Sequence, residues 1–91
     1  MNSDRLNRVE ELISEEKALE ARKIFDDIEP EETVLYYSVK GKLEQKFQNF
    51  GDAINAFSKV IEMDPDNINA RNNLHIIQNI LNFWNPEMFN P

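Results

Sequence analysis

The chain has 91 residues, 41% of them hydrophobic, and a formal net charge of -7. A chain of this length can form one modest core, and the absence of cysteine excludes disulfides and thiolate metal sites. The acidic residues are concentrated before residue 33, and there is no basic patch or membrane-length apolar run, so we expect a cytoplasmic protein that binds neither nucleic acid nor membranes.

Apolar spacing predicts five helices, the first two of which form a hairpin. The first helix covers about residues 3–14. Ser14 can cap the second helix, which ends by Pro30 because proline disfavours a helical residue before it. The apolar faces of this hairpin consist of Leu6, Val9, Leu12, Ile13, Ala18, Ala21, Phe25 and Ile28.

The next two helices form a second hairpin. The third helix is predicted over about residues 31–47 and is followed by a polar break at Gln48 and Asn49. The fourth helix stops at Asp64 and Pro65. The apolar faces consist of Tyr36, Val39, Leu43 and Phe47 in the third helix and Phe50, Ala53, Ile54, Phe57, Val60 and Ile61 in the fourth.

A fifth helix is predicted over about residues 67–83, with Asp66 or Asn67 as its cap. Helices joined by so few residues pack antiparallel, and the predicted class is therefore all-α. The apolar stripe of this last helix consists of Ala70, Leu74, Ile77 and Leu81, widened by Ile76 and Ile80.

Two segments of the chain repeat one pattern 35 residues apart. A period of this size is typical of stacked helical arrays, in which neighbouring units bury each other's apolar faces. The repeated residues are Ala18, Leu19, Ala21, Phe25, Ile28 and Pro30, which recur as Ala53, Ile54, Ala56, Val60, Met63 and Pro65.

This pattern resembles the tetratricopeptide repeat, a helix pair of about 34 residues. The second pair places Ala53, Phe57 and Pro65 at positions of the family's motif, whereas in the first pair Arg22 stands at the aromatic position. The resemblance covers about residues 3–83.

The third helix departs from the family's pattern. Aligning Gly41 with the family's glycine puts Lys40 and Glu44 at apolar positions, and a shift of one residue replaces them with an apolar stripe. We favour the shifted register and interpret Gly41 as a close helix contact or a slight distortion. The shifted stripe consists of Tyr36, Val39 and Leu43, and the aromatic between the pairs is Tyr36 or Tyr37.

The resemblance implies a right-handed superhelical stack in one domain, residues 1–83. Its parts are antiparallel pairs at about residues 3–30 and 31–65 and a closing helix at about 67–83. The first helix of each pair lines a concave face in such arrays. By the family's geometry this face includes Asn7, Glu11, Ser38, Lys42, Lys46, Asn69, Asn72, Asn73 and Ile76.

A concave face of this kind predicts an adaptor that binds a peptide or another protein. Lys42 and Lys46 are one helical turn apart and could hold a carboxylate together, while asparagines offer a donor and an acceptor to a peptide backbone. The alternative is that these side chains are only solvated. Since Val39 or a neighbour stands where the chaperone-tail clamp has an asparagine, we do not expect chaperone-tail binding.

The C-terminal tail, residues 84–91, is rich in large apolar groups for a terminus. One interpretation is that Trp84, Met88 and Phe89 cover the open end of the stack. The other is that they anchor a homodimer or a partner, which makes the chain a structural or self-assembling subunit. The sequence therefore leaves a monomer or a weak homodimer open.

The sequence predicts no catalytic site. The single histidine, His75, has no acidic residue within one helical turn, and adjacent carboxylates such as Glu15 and Glu16 diverge by about 100° on a helix. The two glycines, Gly41 and Gly51, cannot form a phosphate-binding loop. We therefore expect no enzymatic activity, no cofactor and no metal ion.

Overall fold

The computed structural model describes residues 2–84, and every regular element in this range is an α-helix. The predicted all-α class with five helices is thus confirmed. No helix within the described range is long and apolar enough to cross a membrane. The Trp84 side chain, Met88 and Phe89 lie outside the described part of the chain. The helices are α1 (Asn2–Ser14), α2 (Ala18–Asp26), α3 (Val34–Lys46), α4 (Phe50–Met63) and α5 (Ile68–Trp84).

Three predicted details of the helix ends are wrong. Ser14 does not cap α2, because it is the last residue of α1 and its hydroxyl donates to the Glu11 carbonyl at 2.7 Å. α2 is shorter than predicted and ends at Asp26. α3 begins at Val34, since the preceding Thr33 has an extended backbone and its hydroxyl oxygen accepts a hydrogen bond from the Tyr36 amide at 3.1 Å.

The fifth helix begins as predicted. The side-chain oxygen of Asn67 accepts a hydrogen bond from the Ala70 amide at 2.9 Å, which satisfies one of the free donors at the start of α5. The Asn67 amide group also donates to Asp64 at 3.2 Å. Asn67 is therefore the cap, and Asp66 is not.

The chain leaves α1 and α3 by the same type of turn. Glu16 and Gln48 each have a left-handed backbone, with φ of 62° and 61°. After α1, the amide of Lys17 donates to the Leu12 carbonyl at 2.8 Å, and the amide of Asn49 repeats this bond after α3 at 2.9 Å. These are Schellman motifs, so both hairpins are closed by the same hydrogen-bond pattern.

Gln48 occupies a conformation that glycine adopts without steric cost. We therefore expect Gln48→Gly to raise the free energy of unfolding by about 0.5–1 kcal/mol in urea denaturation. Glu16→Gly is the matched comparison, because it relieves the same backbone strain but removes the carboxylate that pairs with Lys46 at 2.9 Å. We expect a smaller gain from Glu16→Gly, and a loss of stability in Gln48→Gly would contradict the argument.

The helices pack in chain order, and the molecule is elongated, with extents of 47 × 28 × 19 Å. α1 packs on α2, α3 on α4 and α4 on α5, while α3 also contacts α1 and α2. Two apolar clusters result, one among α1, α2 and α3 and one among α3, α4 and α5. The helix α3 is common to both.

The tyrosines of α3 join these clusters. The Tyr36 ring stacks on Phe25 of α2, with a centroid separation of 5.1 Å, and the Tyr37 ring meets Tyr36 edge-on at 5.2 Å. Tyr37 packs against both clusters. Tyr36 therefore packs α3 against the first hairpin, and Tyr37 lies between the two apolar clusters.

The favoured register of α3 is confirmed. Tyr36, Val39 and Leu43 are all buried. Gly41 is a close helix contact, since a Cβ atom placed there would lie 2.7 Å from the ring of Phe57 on α4. Glu44 is also buried, which the favoured register did not anticipate.

Candidate functional site

Two adjoining concavities lie along α1, α3 and α5. The first has a volume of about 480 Å³ and the second about 410 Å³. Lys42 of α3 and Asn73 of α5 line both, so the two concavities share one wall of side chains. We call this surface the groove.

The groove contains five of the nine residues assigned to it from the sequence. Asn7, Glu11, Asn72 and Ile76 are exposed and line neither concavity. The Glu11 carboxylate lies 3.7 Å from Arg8 on the same helix. The residues that the structure brings together are Ser38, Lys42 and Lys46 of α3 and Asn69 and Asn73 of α5.

The contribution of α1 to the groove differs from the sequence assignment. Glu10 and Ile13 line the concavities in place of Asn7 and Glu11. On a helix, Glu10 and Glu11 are separated by about 100°, so α1 is rotated about its axis by more than a quarter turn from the orientation that the sequence assignment implied. The side that faces the groove is set by how the apolar stripe of α1 packs on α2 and α3.

Each groove lysine is paired with a separate glutamate of the first hairpin. The Lys42 ammonium lies 2.5 Å from a Glu10 carboxylate oxygen, and the Lys46 ammonium lies 2.9 Å from Glu16. The prediction that the two lysines together hold a carboxylate of a ligand stays a prediction, and such a ligand would compete with these two glutamates. The lysines are not merely solvated, because both pairs cross from α3 to the first hairpin.

The lining of the groove includes both apolar side chains and amides. Ile13, Phe50 and Ile80 line the first concavity. The Asn73 side-chain amide donates to the Asn69 carbonyl at 2.9 Å, which leaves the Asn73 side-chain oxygen as an acceptor. The groove thus combines apolar contact area with hydrogen-bonding groups, as ligand sites on proteins generally do.

A partly buried ion pair lies outside the groove, between α2 and α3. The Arg22 guanidinium lies 2.7 Å from a Glu44 carboxylate oxygen, which also accepts a hydrogen bond from Asn49 at 3.0 Å. The guanidinium stacks over the Phe47 ring at 4.8 Å, and Asp26 lies 3.7 Å away. Arg22 thus packs against an aromatic ring at the C-terminal end of α3 with its charge neutralised by two carboxylates.

The contacts between Arg22 and Glu44 favour the charged form of each side chain. Burial raises the pKa of Glu44, but hydrogen bonds from Arg22 and Asn49 outweigh it, so the pKa of Glu44 is lowered. The hydrogen bond to Glu44 raises the pKa of Arg22. The pair is therefore fully ionised at neutral pH. We interpret it as a contact that stabilises the packing of α2 on α3.

The other groups with a shifted pKa also keep their ordinary protonation state at neutral pH. Burial raises the pKa of Tyr36, and the hydrogen bond to Glu32 raises the pKa of Tyr37. The same hydrogen bond lowers the pKa of Glu32. None of these shifts brings a group toward the neutral range in which acid–base catalysis works best. Within residues 2–84, no group of histidines and carboxylates could hold a metal ion.

Compared with protein-family models, curated proteins and solved structures, the chain matches none of them. The functional interpretation therefore depends on the residues and geometry of this chain.

Proposed function

We propose that this chain is a tetratricopeptide-type interaction module that binds an extended peptide or protein segment in the groove. In this proposal the two hairpins and α5 stack with a right-handed superhelical rotation. The 35-residue sequence repeat and the shared Schellman turns of the two hairpins support it.

The observation that carries the proposal is the shared wall of the two concavities. Lys42 and Asn73 line the two concavities, which are therefore adjacent. One extended ligand can then occupy the two concavities at the same time. An extended peptide alternates side chains, which can enter apolar pockets, with backbone groups, which need hydrogen-bond partners. In the groove, Ile13 and Ile80 can contact the peptide's side chains. The amides of Asn69 and Asn73 can form hydrogen bonds with its backbone.

The ion pairs of the groove limit which ligands it favours. Glu10 neutralises Lys42 and Glu16 neutralises Lys46, so an acidic segment would have to displace a carboxylate that is already in place. We therefore propose a ligand that is held by apolar and amide contacts instead of net charge. Its affinity should change little with salt, because screening acts mainly on exposed charges.

The proposal is tested with peptides selected from a displayed random library on the wild-type protein. Asn73→Arg puts a long cation at the shared wall, and we expect it to weaken binding of the selected peptides by about tenfold or more in fluorescence anisotropy. Asn55→Arg is the matched control, since Asn55 is exposed on α4 and lines neither concavity.

The control variant is expected to bind as the wild type does. Amide chemical shifts of Ser38, Lys42 and Asn73 should change on titration with a selected peptide. Equal affinities for Asn73→Arg and Asn55→Arg, or shifts confined to α2 and α4, would contradict the groove as the binding surface.

A further inference from the structure

The two concavities of the groove follow each other along α3 and α5. On α3, Ser38 lines the second concavity and Gln45 lines the first. On α5, Asn69 lines the second concavity and Ile80 lines the first. Because the order is the same on both helices, α3 and α5 run in the same direction along the groove. The wall that the two concavities share stands between them.

The distance between the concavities follows from the rise of the two helices. On α3 the lining positions are 34, 35, 38 and 42 for the second concavity and 42, 45 and 46 for the first. The centres of these two sets lie about seven residues apart, which is about 10 Å along the helix. On α5 the positions are 69, 70 and 73 against 73 and 80, which gives about 9 Å. A ligand that fills both concavities must therefore place two side chains about 10 Å apart.

Both concavities offer apolar surface to a side chain. Phe50 and Ile80 line the first concavity, and Val34 and Leu35 line the second. These four side chains are half-buried, so part of their surface is open to a ligand. Apolar contact is the usual source of affinity in such sites, and we therefore expect both anchoring side chains of the ligand to be apolar.

The spacing of about 10 Å distinguishes between the regular conformations of an extended peptide. In a β-strand, side chains on one face are about 7 Å apart at i and i+2 and about 13 Å apart at i and i+4, so neither pair matches. A polyproline II helix has three residues per turn and a rise of about 3.1 Å, which places side chains i and i+3 on one side about 9 Å apart. This conformation has no internal hydrogen bonds, so its backbone groups remain available to the Asn69 and Asn73 amides.

We infer that the groove binds a peptide in the polyproline II conformation, with two apolar side chains three residues apart, one in each concavity. This peptide class rests on the proposed function, because it specifies the ligand of the same groove. The two residues between the anchors cross the shared wall, where Lys42 is already paired with Glu10. Uncharged residues therefore fit at these two positions.

A set of synthetic peptides tests the spacing. Peptides of about ten residues with blocked ends carry two leucines in one serine and glutamine background, separated by two, three, four or seven positions. In fluorescence anisotropy we expect the separation of three to bind at least about tenfold tighter than the others, because only this peptide places a leucine in each concavity without leaving the polyproline II conformation.

The other outcomes separate this inference from the proposed function. Tightest binding at a separation of four would indicate a β-strand, and at seven an α-helix, in which side chains i and i+7 lie about 10 Å apart. Either result, or equal affinities, overturns the polyproline II ligand and leaves peptide binding in the groove intact. The same holds if none of the four peptides binds but the peptides selected from the library do. Failure of both sets of peptides overturns the two proposals together.

Variants of the full chain test whether both concavities are used. Ser38→Trp fills the second concavity and Gln45→Trp fills the first, and both positions are half-buried. In each variant we expect the peptide with a separation of three to lose about tenfold in affinity and to bind no better than a peptide with a single leucine. Asn55→Trp is the matched control, since Asn55 is exposed on α4 and lines neither concavity.

Circular dichroism of each variant checks that it is folded, and either filled variant is sufficient for the test. An affinity advantage of the separation of three that persists in a folded Ser38→Trp or Gln45→Trp variant overturns the inference. A loss of the same size in Asn55→Trp would do so as well, because the effect would then not come from the concavities.

Discussion

Arg22→Met is expected to lower the free energy of unfolding by about 2–3 kcal/mol at neutral pH. The substitution keeps an apolar chain over the Phe47 ring but removes the cation that pairs with Glu44. Glu44 is 8% exposed, so its carboxylate would be left buried without its main partner. Urea denaturation of the wild type and the variant measures the difference.

Two further variants separate charge from packing at this site. Arg22→Lys keeps the positive charge but loses the planar group that stacks on Phe47, and we expect it to cost about 1 kcal/mol. The double variant Arg22→Met with Glu44→Met removes both charges, so we expect it to recover most of the stability. A single variant as stable as the wild type would show that the ion pair does not hold α2 on α3.

The pH dependence of the Arg22→Met effect follows from the lowered pKa of Glu44. A carboxylate whose pKa is lower in the folded state stabilises the protein above its ordinary pKa, and this contribution is lost as the pH falls through the folded value. The difference between wild type and Arg22→Met should therefore be complete at pH 7 and shrink at about pH 3. A difference that is independent of pH would assign the effect to packing alone.

Gly41→Ala is expected to destabilise the protein by about 2 kcal/mol, although alanine favours helices. The new methyl group would lie 2.7 Å from carbon atoms of the Phe57 ring, and Phe57 is 1% exposed and cannot move into solvent. Either α3 and α4 separate or the ring leaves its rotamer. Thermal and urea unfolding of the variant measure the cost.

Gly51→Ala is the matched control for Gly41→Ala. Gly51 also lies in a helix, but a Cβ atom there meets no neighbour within 4 Å. Helix propensity then acts alone, and we expect a gain of about 0.5–1 kcal/mol. Combining Gly41→Ala with Phe57→Leu should cost less than the sum of the single changes, because leucine leaves room for the methyl group. Additive costs would mean that Phe57 does not cause the effect.

Local signals in the sequence were sufficient for the number and order of the helices and for the apolar core, but not for three of the helix ends or for the burial of Glu44. The apolar spacing of α1 predicted Leu6, Val9 and Leu12 as buried residues, and all three are. Asn67 was one of two residues predicted as a cap, because asparagine before an apolar run has a specific chemical role there. These features depend on residues a few positions apart, where periodicity and capping rules apply directly.

The polar contacts of the groove could not be predicted in this way. Lys42 and Glu10 are 32 residues apart, and Lys46 and Glu16 are 30 apart. Which glutamate reaches which lysine depends on the rotation of α1 and on the left-handed turn at Glu16. Both are results of tertiary packing, and neither leaves a periodic signal.

Under the proposed function, the position of α3 would link peptide binding to the folding of the whole domain. Removing α1 or α5 would expose residues of one apolar cluster, whereas removing α3 would expose both. Ser38 and Lys42, which line the groove, belong to this same helix. A peptide that binds these two side chains would stabilise both hairpins. Its binding should therefore raise the melting temperature of one cooperative transition.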